Sequence, residues 1–182
     1  LDDITISAGS TTGSTNFILS DDSVYEGDET ATIAISSVSG GSATESGSQS
    51  ATITIRDNEI AGSVTLTVSA TSIAENAGTS LTITATLSST SDEDVTVALS
   101  TSGTATEGTD YTDGSGVIDD ITISAGATTG TVNFTPTDDS VYEGNETATI
   151  AISSVSGGDA SESGDQSVTV TITENESAPT VT

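Results

Sequence analysis

Carboxylates are nearly the only side chains in this 182-residue sequence that can do chemistry, and they recur in set patterns. Glu75 lies in IAENAG and Asp110 in GTATEGTDY (Gly103 to Tyr111). Asp138, Asp139, Glu143 and Glu146 share DDSVYEGNE, and Glu174 and Glu176 share TENE. Earlier in the chain, Asp21, Asp22, Glu26 and Glu29 repeat the third pattern, and Asp57 and Glu59, in RDNE, repeat the fourth. Gathered at one end of a fold, so many carboxylates repel, and either protonation or a counterion must relieve them. Outside a cell the counterion is the expected route. Ca²⁺ takes about six to eight oxygen ligands in loose geometry, so Asp and Glu without His or Cys suit it better than zinc or copper. The pair Asp138–Asp139 is placed to bridge two ions, with Glu143 and Glu146 wrapping back from the turn.

The competing reading is a solvated acidic surface. Asp92, Glu93 and Asp94 are read that way. However, the 14 acids named above, half of the 28, fall at loops flanking strand ends, which favours ion binding.

Charge excludes several functions. The net charge is −27, with Arg56 the single basic residue and no His. Such a polyanion repels nucleic acid and anionic membranes and draws divalent cations. No apolar run reaches the roughly 18 residues of a membrane-spanning helix. Paired carboxylates can hydrolyse glycosides, but there is no Trp to platform a sugar, and the usual bases and nucleophiles (His, Cys, Lys) are missing. The chain does not read as an enzyme. Three sequons (Asn133, Asn145, Asn175) are weak signals, and two of them sit inside the proposed ion loops. Neither disulfides nor Lys–Asn isopeptide bonds can staple the fold, because Cys and Lys are both absent. A bound metal is the remaining clamp.

The elements that must position these acids are strands. Val64, Leu66 and Val68 alternate with Thr and Ser, as do Leu81, Ile83, Ala85 and Leu87, and then Val95, Val97 and Leu99. The pattern continues at Ile121 and Ile123, at Val132 and Phe134, at Ala148, Ile150 and Ile152, and at Val168, Val170 and Ile172. Alternation puts one face in a core and the other in water. Seven such runs predict an all-β, immunoglobulin-like antiparallel sandwich, with Glu75 at the end of the opening strand. Breaks are expected over 75–80, 88–94, 103–116 and 154–166, with Pro136 just after a strand.

Leu1–Glu59 returns ungapped and nearly unchanged as Ile118–Glu176, an offset of 117 residues. This sets the organisation: 1–59 as the C-terminal half of a repeat, 60–176 as a complete repeat, and 177–182 as a linker opening the next. The chain reads as an excerpt of a tandem array. The half repeat should supply about the last four strands, leaving a sandwich face bare and edges unpaired.

These motifs, in this order, resemble the Calx-β domain, a family found in sodium–calcium exchangers and bacterial surface proteins. The resemblance covers Ile60–Glu176, and Leu1–Glu59 matches its C-terminal half. It implies a seven-stranded sandwich with calcium at one end, held by Glu75, Asp110, Asp138, Asp139, Glu143, Glu146, Glu174 and Glu176. By the same repeat, Asp21, Asp22, Glu26, Glu29, Asp57 and Glu59 serve the half unit. The strongest calcium binders of the family end in three Asp, whereas this chain has Glu-Asn-Glu or Asp-Asn-Glu.

The expected function is a non-catalytic, calcium-binding spacer repeat of a secreted bacterial adhesin or surface filament. The ions would stiffen joints such as Asp57–Ile60. Its partners would be calcium ions and neighbouring repeats, or other copies joined by strand addition. A calcium-responsive regulatory module of a larger protein is the alternative, as is a strand-exchanging filament subunit.

Overall fold

Thr and β-branched residues dominate the chain, and no helix forms anywhere in it. The computed structural model describes residues 1–182. The first copy contributes β1 (Val24–Tyr25), β2 (Glu29–Ala34) and β3 (Ser50–Ile55). The complete unit begins with β4 (Ser63–Val68), β5 (Ser72–Ala74), β6 (Leu81–Leu87), β7 (Thr90–Ser91) and β8 (Val95–Gly103). It continues with β9 (Tyr111–Thr112), β10 (Ile121–Ile123), β11 (Thr129–Pro136), β12 (Glu146–Ser156), β13 (Ser161–Glu162) and β14 (Ser167–Thr173). Two five-stranded sheets result, ordered β10-β8-β12-β14-β5 and β13-β4-β6-β11-β9.

Alternation decides which face is buried. In β4, Val64 and Leu66 point into the core while Thr65 and Thr67 stay in water. Ile83, Ala85 and Leu87 do the same in β6, as do Ala148, Ile150 and Ile152 in β12. Phe134 stacks on Tyr111 with ring centroids 4.7 Å apart. Each large aliphatic or aromatic side chain so buried contributes about 1.5–3 kcal/mol.

All seven alternating runs are strands, as β4, β6, β8, β10, β11, β12 and β14. Four short strands escape the pattern, because two or three residues carry no measurable alternation. One of them matters for function. The opening segment is two strands in opposite sheets, so Glu75 follows β5 rather than β4. The sandwich is also not purely antiparallel: β5 runs parallel to β14, and β13 to β4. Pro136 is the last residue of β11, opposite Tyr111 of the edge strand β9, rather than just beyond it.

The expected four strands of the half repeat reduce to two. Only β2 and β3 form a ladder, while residues matching β10 and β11 remain unpaired. Their sequences are nearly the same, but β10 and β11 pair with β8 and β6, whereas the first copy's segments have no such strands beside them. Ile4 is accordingly 56 % exposed where Ile121 is 1 %. Phe17 is 40 % exposed where Phe134 is wholly buried.

Candidate metal centre

One end of the sandwich collects acids from four separate loops. The parallel pairing of β5 with β14 places Ala74 opposite Thr173, and Glu75 N donates to Thr173 O at 3.0 Å. Glu75 thereby sits beside the strand end that carries Glu174 and Glu176. The loop after β11 folds over both, and Asp139 N donates to Glu75 Oε1 at 3.3 Å. Asp110 arrives from the other side. Its loop leaves β8 at Gly103, whose φ of +132° suits glycine and whose Cα lies too close to Thr147 O for a side chain. Thr104 N and Ala105 N then close on the same Thr147 O at 2.9 and 3.0 Å. Asp110 Oδ2 accepts from Thr106 N at 2.6 Å, and Thr137 N donates to Asp110 O at 2.9 Å.

Three triads converge, each offering carboxylate oxygens within 4.8 Å of one another: Glu75–Asp139–Glu143, Glu75–Glu174–Glu176 and Asp110–Glu143–Glu146. Glu75 and Glu143 each belong to two triads, so they are the bridging positions. The Asp138–Asp139 pair is not: Asp138 lies outside all three triads.

The carboxyls are unequal. Glu174 Oε2 accepts from Gly144 N at 2.8 Å and also from Glu143 N, while its Oε1 accepts from Asn175 N and Glu176 N at 2.9 Å. The Glu176, Glu143 and Gly144 amides hold Glu174 down to about 2. Glu176 moves the other way, up to about 7, because it shares a hydrogen bond with Glu174 and is partly desolvated beside more negative charge. Glu146 is also raised to about 7, first by desolvation and then by the charge and hydrogen bond of Asp110. Desolvation likewise pushes Glu75 and Glu143 up. Glu75 is only 7 % exposed, and the complete unit holds no basic residue to pair it. Glu176 Oε2 is buried without any hydrogen-bond partner. An acceptor left bare in this way is costly, and a cation is the partner that suits it. The donor set, all carboxylate oxygen, fits a hard divalent ion.

The first copy reproduces the anchoring, and its six candidate acids line one cleft. Asp57 Oδ2 accepts from Glu26 N and Gly27 N, both at 2.7 Å, and its Oδ1 accepts from Glu59 N at 3.0 Å. These amides hold Asp57 well below the usual carboxylate range, and Glu59, hydrogen-bonded to Asp57, is raised. The charge of Asp22 raises Glu26. Yet Asp21, Asp22, Glu26, Glu29, Asp57 and Glu59 form no triad. The stretch that the first copy matches, Ile118–Glu176, includes neither Glu75 nor Asp110, so no equivalent of either faces these acids.

Sequence reasoning missed two supporting residues. Asn145 Oδ1 accepts from Glu174 N at 3.0 Å, and Asp28 Oδ1 accepts from Asp57 N at 3.2 Å. Their signal was the equivalent position in the two copies, occupied both times by a short side-chain acceptor. Asp92, Glu93 and Asp94 are exposed, as the sequence reading has them, but they also make contacts. Glu93 accepts from Gly158 N at 3.2 Å, and Asp94 accepts from Ala125 N at 2.8 Å. Asp92 N donates to Tyr25 O, in the other repeat, at 3.2 Å.

A comparison with curated proteins returned no match. Among solved structures, the chain is similar to the apo form of the Calx CBD1 domain, at 19 % identity and a TM-score of 0.49. That match covers 63 % of this chain and 98 % of the other. It is also similar to CBD12 from CALX1.2, at 21 % identity and a TM-score of 0.47, covering 56 % of this chain and 40 % of that one. The family model of the Calx-beta domain matches twice, over residues 3–59 and 57–176. The two copies that the sequence repeats are thus each matched by the same family, and the chain belongs to the Calx-beta domain family.

Proposed function

We propose that this chain is a non-catalytic, calcium-binding spacer segment of a secreted bacterial surface adhesin or filament. In this reading the ions are held by Glu75, Asp139, Glu143, Glu174 and Glu176, with Asp110 and Glu146 completing a neighbouring position. Calcium would supply charge neutralisation and cross-bracing, tying the β5 end, the loop after β11 and the end of β14 together. The observation that carries the reading is the unpartnered Oε2 of Glu176 beside the buried Glu75, at the meeting point of three carboxylate triads. Membership of the Calx-beta family supports the choice of calcium. The spacer role is supported by the near-identity of successive copies, which preserves length and stiffness rather than a unique surface.

At extracellular, millimolar calcium, even sites with Kd of about 10⁻⁴ M are filled. Calorimetric titration of the full chain tests the reading, with a Glu75→Gln/Glu143→Gln double variant alongside. Binding in the parent that the variant loses supports it. Heat-silent titrations in both would overturn it.

A further inference from the structure

The two repeats touch through the loop that carries the first copy's acids. Val24 and Tyr25 form a parallel bridge with Thr90 and Ser91, residue against residue. Asp92 N donates to Tyr25 O at 3.2 Å, and Thr90 Oγ1 donates to Ser23 O at 3.1 Å. The Tyr25 hydroxyl donates to Asp159 Oδ2 at 2.8 Å. On the receiving side the fold is already set. Ser91 is 3 % exposed, its carbonyl accepts from Gly126 N, and its hydroxyl accepts from Glu93 N. Gly158 packs so tightly on Ser91 that no Cβ would fit there. Asp159 has a φ of +48°, and its carboxylate finds its hydrogen bond in the other repeat. Among non-glycine residues, Asp is one of the few that hold such a backbone readily.

The pentapeptide Ser23-Val-Tyr-Glu-Gly27 recurs letter for letter as Ser140–Gly144. In the first copy Val24 and Tyr25 are half-buried against β7. In the second, the same pair (Val141 and Tyr142) stands 56 % and 45 % exposed with no strand beside it. We infer that Val141–Tyr142 is a docking edge for the β7-type segment of a following copy of this repeat, so that successive repeats join head to tail by a two-residue parallel bridge and a tyrosine–carboxylate contact. The occupant is another copy because this chain already seats the identical peptide on such a segment. The geometry also prevents two intact chains from closing on each other: each Thr90–Ser91 edge is taken by its own first repeat. Growth therefore runs through covalent neighbours, where tethering supplies a high effective concentration to a small contact. This joint goes beyond the calcium reading, since neither Thr90, Ser91 nor Asp159 belongs to the carboxylate triads.

The test uses the two tyrosines as mutual controls, with the whole chain in chelator and again in calcium. In the parent chain, the Asp92 amide should exchange at least about tenfold slower than in Tyr25→Ser. Tyr142→Ser should leave that amide unchanged. A second chain carries another copy of Ile60–Glu176 directly after Glu176. There the added copy's counterpart of the Asp92 amide should be protected to the same degree, and Tyr142→Ser should remove that protection, while dispersion of the added copy's own core amides reports that it is folded. An Asp92 amide indifferent to Tyr25→Ser would overturn the joint. A folded added copy whose counterpart of the Asp92 amide is indifferent to Tyr142→Ser would overturn the docking edge. If both hold in chelator while calcium titrations stay silent, the joint stands and the ion reading falls.

Discussion

Glu174 and Glu176 are two residues apart, yet they are held at opposite ends of the carboxyl range, and both consequences can be measured. Glu176 and Glu146 sit at about 7 in the fold, above the ordinary value of 4.5. A carboxyl whose pKa is raised by folding stabilises the fold only while protonated. Its contribution is full below about 4.5 and is lost as pH rises through about 7. Glu174, held at about 2, behaves oppositely: its contribution is present above 4.5 and disappears as pH falls toward 2. In chelator, the melting midpoint should therefore fall between pH 5 and pH 8. Calcium should reverse this trend, because it needs the ligands deprotonated. Affinity measured by calorimetry should drop below pH 7 by up to about tenfold per pH unit for each proton displaced. A midpoint in chelator that rises from pH 5 to pH 8 would contradict the assignment of Glu146 and Glu176. The two neighbours should also separate by mutation. Glu174→Gln should lower the midpoint with or without calcium, because it turns one of the two oxygens, each accepting from two amides, into a donor. Glu176→Gln should raise it in chelator and abolish part of the calcium response.

At the scale of elements, the site depends on two ladders that sequence patterning shows only in part. The Tyr111–Phe134 stack fixes β9 against β11 and with it the Asp110 loop. Phe134→Ala should cost about 3–5 kcal/mol in urea unfolding, the range for truncating a buried aromatic. Gly103→Ala sits outside the triads but should still weaken calcium binding. Its Cβ would push Thr147 away and disturb Glu146, the adjacent residue at the start of β12. If titration finds the Gly103→Ala affinity equal to the parent, β8–β12 register does not set the site. Six of the seven alternating strands were legible because alternation over six or more residues is a strong signal, as in Leu81 to Leu87, while three-residue β10 showed only as the pair Ile121 and Ile123. The sheet switch at β5 was not, although it brings Glu75 to Glu174. A three-residue parallel strand is specified by its neighbours rather than by its own letters.

Across the whole molecule, order is distributed unevenly. No residue before Gly62 is buried, whereas the complete unit encloses a core of nineteen buried hydrophobic residues. Amide exchange should show residues 1–19 close to unprotected rates, β2 and β3 weakly protected, and β8 and β12 protected most strongly. Protection of Ile4 or Phe17 comparable to that of Ile121 and Phe134 would sink this ranking. Calcium at about a hundredfold over Kd should stabilise the complete unit by about 2.7 kcal/mol per site, a shift of several degrees in its midpoint. The same addition should do less for the first copy, where the six acids line one cleft but form no triad.

The two copies separate what sequence decides from what tertiary structure decides, because the letters are held nearly constant. Sequence by itself determined the polar–apolar alternation, the positions of the acid loops, and their anchoring. Asp22 accepts from Val24 N and Asp139 accepts from Val141 N, and Asp57 and Glu174 each bind the turn before them, in both copies alike. These bonds span short loops or one hairpin, so local chain suffices. Tertiary structure alone decided burial and convergence. Ile121 enters a core and Ile4 does not, and Glu143 joins two triads while Glu26 joins none. A buried face needs a second sheet, and a carboxylate cluster needs the loops of β5 and β8, which lie far from the hairpin in sequence and reach it only through the folded sandwich.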